Sequence, residues 1–131
     1  SIRQCAEMAL GQAEELLKDI CWEQYGEILL AGKSVGTVVL SAFAQQKGLS
    51  CRRILLTPVE ETFGFGGGKA IAFHGTADPW AEDNGAIRAY CREQDIELYE
   101  VEGANHSLET GDVEKDIREL RKVMKAVREF V

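Results

Sequence analysis

Three residues with the means for acyl-transfer chemistry, Ser34, Asp78 and His106, occur in that order in a chain with only two histidines. A serine hydroxyl is a weak nucleophile until a base takes its proton. An imidazole can do that near neutral pH and can later protonate a leaving group. A carboxylate on the other ring nitrogen fixes the tautomer and stabilises the charged ring. Ser34 sits in Gly32-Lys33-Ser34-Val35-Gly36, where small flanking residues permit a sharp turn from a strand into a helix. The Val35 amide would open that helix without an intrahelical acceptor, free to donate to a developing oxyanion. Asp78 lies in His74-Gly75-Thr76-Ala77-Asp78-Pro79-Trp80, and His106 in Gly103-Ala104-Asn105-His106-Ser107.

Each residue also has an ordinary explanation. Asp78-Pro79 is a turn-forming pair, and His106 alone reads as a loop histidine. Their joint placement after successive strands favours the chemical reading. His74 precedes the acid and is expected to pack near the site without serving as the base. Glu60 and Glu61 are alternative acids if their loop folds inward. Gly-Lys-Ser is not a phosphate loop, because Glu27 stands where the pattern needs glycine. Lys33, Phe63, Phe65 and Trp80 are candidates for lining a substrate pocket, although loop aromatics equally serve as packing anchors.

The elements that must position these residues follow from hydrophobic periodicity. Helical spacing runs through positions 2 to 20, from Val35 to Gly48, from Asp83 to Gln94, and from Asp112 to Val131. Short apolar runs predict strands over 27–31, 53–57, 70–74 and 96–101. Strands alternating with helices imply an α/β three-layer sandwich around a mainly parallel sheet of about four strands. Function then gathers at the carboxyl ends of the strands, where the three residues fall. No linker divides the 131 residues, so one domain, 1–131, is expected.

Composition excludes several classes. The chain carries 15 basic and 22 acidic residues, a formal charge of −7, which offers no footprint for nucleic acid or anionic lipid. No apolar run approaches the roughly 20 residues that cross a bilayer. The four cysteines form no C-x-x-C pair, so no metal site is expected, and the usage suits a reducing, cytoplasmic setting.

Gly-Lys-Ser-Val-Gly resembles the nucleophile elbow of the α/β-hydrolases. Phe-His-Gly-Thr-Ala-Asp-Pro-Trp resembles their acid loop, and Gly-Ala-Asn-His-Ser-Leu their histidine loop. The likeness spans nearly the whole chain, but only as the C-terminal part of that fold. It implies a lid-poor serine hydrolase that cleaves esters, thioesters or amides without a cofactor. Ser34 is then the nucleophile, Asp78 the acid, His106 the base and the Val35 amide one oxyanion donor, with a small acyl compound as substrate. An acyltransferase, a peptidase and a non-catalytic interaction domain are the alternatives.

Against that family the first strand here lacks its N-terminal neighbours and would form a bare edge, which proteins usually cover. The chain is then part of a longer protein, or the edge is covered in a homodimer, or the domain is a reduced hydrolase. In the last case one oxyanion donor is missing, at a cost of about a hundredfold in rate.

Overall fold

A computed structural model describes residues 1–131. Helix α1 (Ile2–Leu16) opens on Ser1, whose Oγ accepts from the Gln4 amide at 3.3 Å. Strand β1 (Leu29–Lys33) leads into α2 (Val35–Lys47), and β2 (Arg52–Leu56) follows. A 3-10 turn (Glu60–Gly64) precedes β3 (Lys69–Gly75), then come α3 (Asn84–Glu93), β4 (Glu97–Val101) and α4 (Val113–Phe130). Asp83 and Asp112 cap α3 and α4 through their carboxylates. Gly48 closes α2 at φ +60°, a conformation glycine adopts without steric cost.

All strand pairs are parallel, and the spatial order β1-β2-β3-β4 repeats the chain order. Alternation along the strands divides the core in two. Leu55, Ala70 and Ala72 point to one face and pack against Leu40 of α2 and Ile87 and Cys91 of α3. Ile54, Ile71 and Phe73 point to the other and pack against Val123 and Phe130 of α4. Each fully buried side chain of this kind contributes roughly 1.5–3 kcal/mol. Helix α1 packs through Ala6 on Val38 of α2. The sandwich is therefore uneven, with α1 to α3 on one side and α4 alone on the other. Arg88 braces α3 to β4 by forking onto Glu100 at 2.7 and 2.8 Å.

The α/β sandwich matches the sequence expectation, and all its strands are parallel. Boundaries move. The first strand ends at Lys33, not Ala31, because Gly32 and Lys33 pair with Leu55 and Leu56 of β2. Ser34 thus abuts the strand directly. The first helix stops at Leu16, four residues before the periodicity does. β1 lies at the sheet edge, with Leu29, Ala31 and Lys33 exposed. No helix is long and apolar enough to cross a membrane.

All four cysteines are free, two exposed and two buried. Burial pushes the Cys91 thiol up to about 11, and it raises that of Cys51 as well. Iodoacetamide at pH 8 should therefore alkylate Cys5 and Cys21 of the folded chain, and reach Cys51 and Cys91 only in denaturant. Peptide mass mapping checks this.

Candidate active site

The three candidate residues leave the sheet from different strands. Ser34 follows β1, Asp78 follows β3 and His106 follows β4. Neighbouring strands stand about 4.8 Å apart, so β1 and β4 are separated by about 14 Å. The loop after β4 must reach back across the sheet, and the loop after β3 must meet it midway.

The Ser34 turn is strained. Its φ of 54° and ψ of −123° lie where side chains rarely go, at a cost on the order of 1–3 kcal/mol. Local bonds hold it there. The Ser34 amide donates to the Leu56 carbonyl at 2.9 Å, and its carbonyl accepts from Thr37 through the amide at 2.9 Å and Oγ1 at 2.6 Å. The Thr37 hydroxyl also meets that of Thr62 at 2.7 Å, which fastens the start of α2 to the 3-10 turn. α2 can pass so close to β1 because position 32 has no side chain. A Cβ on Gly32 would lie 2.7 Å from both the Gly36 carbonyl oxygen and Leu40 Cδ2. Gly36 has open space at its own Cβ and contributes its backbone to this approach. The Val35 amide opens α2 and has no intrahelical acceptor.

The three side chains form one hydrogen-bonded row. Ser34 Oγ lies 2.7 Å from His106 Nε2, and His106 Nδ1 lies 2.7 Å from Asp78 Oδ2. A carboxylate can only accept, so the ring proton sits on Nδ1 and Nε2 is left to accept from the serine hydroxyl. Asp78 is 1% exposed. Its second oxygen accepts from the Trp80 amide at 2.8 Å, so the same carboxylate shapes the Asp-Pro turn and orients the imidazole. His106 keeps 21% of its side chain exposed, open to a ligand. Asn105 Oδ1 shapes the His106 loop by accepting from the Ser107 and Glu109 amides.

The other candidates separate. Trp80 stands at the mouth, 60% exposed, its ring centroid 6.0 Å from that of His106. Lys33 is exposed beside Ser34 and borders an open apolar trench of about 600 Å³ walled by Leu56, Leu108, Ile117 and Leu120. Phe63 requires correction as a pocket residue, and Phe65 stays half-buried. Phe63 is buried and stacks on Tyr90 at 5.2 Å, and Phe65 packs against the cluster of Ala6, Val38 and Val59. Both anchor the loop after β2 to the core. Glu60 and Glu61 stay exposed in the 3-10 turn, and the imidazole bonds to Asp78 instead. His74 is fully buried, with Nε2 directed at Asn84 Oδ1 and away from the serine. Sequence reasoning missed Thr37, Thr62 and Asn105, whose roles rest on bonds that no short motif announces.

Several solved structures share this fold. A protein of unknown function from Agrobacterium tumefaciens, described only provisionally as an alpha/beta hydrolase, superposes with a TM-score of 0.59 at 17% identity, over 92% of this chain and 57% of its own. Two variants of SOBER1 from Arabidopsis thaliana give TM-scores of 0.62 and 0.58 at 15% and 14% identity, over 95% and 99% of this chain and 64% and 65% of theirs. The fold is that of the α/β-hydrolases. This chain spans about three fifths of the length of those structures. No family model and no curated protein matches the sequence.

Because Gly32 faces backbone, Gly32→Ala cannot be absorbed by a flexible neighbour. It should cost about 2 kcal/mol of stability, the usual penalty of overpacking, read from the midpoint of urea unfolding.

Proposed function

We propose that this chain is a serine hydrolase acting on small or exposed acyl esters or thioesters. The continuous row from Ser34 Oγ through His106 to buried Asp78 carries the reading. In the proposed reaction, Ser34 Oγ attacks the acyl carbonyl carbon while His106 Nε2 takes its proton. The Val35 amide donates to the oxygen that becomes negative. Asp78 holds the imidazole and stabilises its charged form. The tetrahedral intermediate then expels an alcohol or thiol, which takes the proton from His106. Water, deprotonated by the same imidazole, releases the acid and restores the serine.

Two features support a small or exposed acyl group. The segment between β2 and β3 is short and pinned by buried Phe63, so it does not form a lid over Ser34. The exposed Trp80 indole offers an apolar flank beside the imidazole. The reading requires no metal or cofactor. A water acceptor makes the enzyme a hydrolase, and a competing alcohol or amine on the same row would make it an acyltransferase.

The exposed β1 edge favours a second reading, an interaction module that keeps the fold and pairs this edge with another chain. The two readings differ in whether Ser34 turns over substrate.

A fluorophosphonate probe should label Ser34, and Ser34→Ala should abolish labelling. Equal labelling of the alanine variant would remove Ser34 from the mechanism, and a lack of Ser34-dependent turnover of p-nitrophenyl acetate would favour the interaction module. Asp78→Asn should lower kcat by roughly 10³–10⁴-fold, because the amide no longer enforces the required tautomer. Steady-state kinetics checks it.

A further inference from the structure

Asp78 and His106 are carried on two loops, and the side chain of Thr76 is one of the ties between them. Thr76 lies two residues before Asp78, and Gly103 lies three before His106. Thr76 Oγ1 accepts from the Gly103 amide at 2.7 Å. The Thr76 amide donates to the Val101 carbonyl at the end of β4 at 3.1 Å, and the next amide, Ala77, donates to Ala104 at 2.9 Å. The Thr76 carbonyl accepts from Asn84 Nδ2 at 3.0 Å, at the first residue of α3. Asn84 is itself held from behind, its Oδ1 facing Nε2 of fully buried His74 at 2.5 Å. Thr76 is thus bonded toward the base loop through its side chain and toward α3 through its carbonyl.

We infer that Thr76 is a positioning residue that sets the separation of the Asp78 carboxylate and the His106 imidazole. The kinetic consequence rests on the hydrolase reading above; the geometric one does not. The physical case has three parts. The hydroxyl at position 76 supplies the acceptor for the Gly103 amide, a role that either threonine or serine can fill. Gly75, just before it, allows the two loops to approach, since a Cβ there would sit 2.7 Å from the Asn105 carbonyl oxygen. The Gly103 amide lies near the surface, where water can replace the threonine oxygen at small cost. Losing the bond should therefore leave the fold standing and release only the registration of the loops.

The test compares Thr76→Val, which keeps the shape and removes the acceptor, with Thr76→Ser, which keeps the acceptor. For Thr76→Val, kcat for p-nitrophenyl acetate should fall about tenfold or more, the usual consequence of misplacing catalytic groups by a fraction of an ångström to one ångström. KM should stay within about twofold, because no ground-state contact is lost. The melting temperature should move by about 5 °C or less. Thr76→Ser should restore kcat. The downfield proton resonance of the His106 Nδ1–H bonded to Asp78 should weaken in the valine variant and persist in the serine variant.

Unchanged kcat and resonance in Thr76→Val would overturn the inference. So would a serine variant as impaired as the valine one. Thr76→Ala repeats the deletion if valine disturbs packing, and failure of both to fold would show a purely structural residue. If the wild-type chain is not labelled at Ser34, the hydrolase reading fails, and the resonance still decides the role of Thr76.

Discussion

The site depends on one carboxylate that is almost wholly removed from water. A buried carboxylate is tolerated only when its oxygens are hydrogen-bonded. Asp78 meets that condition with two partners from different sources, the Trp80 amide of its own turn and the imidazole from the next loop. The first bond cannot form unless the loop after β3 closes tightly. The second cannot form unless the loop after β4 reaches back over the sheet. Burial of Asp78 therefore couples a local turn to a long-range contact, and the serine, which has no bond to Asp78, is reached only through the ring between them.

What could be read from the sequence was whatever is written locally. The alternation of apolar runs and helical periods gave the layered fold, and glycine spacing around Ser34 gave the turn. The order of Ser34, Asp78 and His106 was visible because each follows a different strand. The rest was hidden for physical reasons. Gly32 and Lys33 look like turn residues, yet the ladder to Leu55 and Leu56 keeps them in the strand. Phe63 and Phe65 sit in a connection with no period to say which way each ring points, so the direction each takes could not be read beforehand. The hydroxyl pair of Thr37 and Thr62 joins residues 25 apart in the chain, a distance over which sequence pattern carries no signal.

The layering is lopsided in a way that bears on size. The face of the sheet under α4 is filled from β2 to β4, where Ile54, Ile71 and Phe73 meet Val123 and Phe130. Toward β1 the same face shows Leu29 and Ala31 to solvent, and α4 itself turns Val113, Ile117, Leu120 and Met124 outward along one side. The similar folds are longer than this chain.

The backbone at Ser34 has a consequence for which side chains the position can host. At φ 54° a β-branched side chain is strained, as Thr57 is at φ 43° elsewhere in this chain. Threonine, the nearest chemical analogue of serine, carries that extra strain there even though it too offers a hydroxyl. Cysteine carries no such branch. The position is thus more accommodating of a thiol than of a secondary alcohol, a preference imposed by a dihedral angle before any question of reactivity arises.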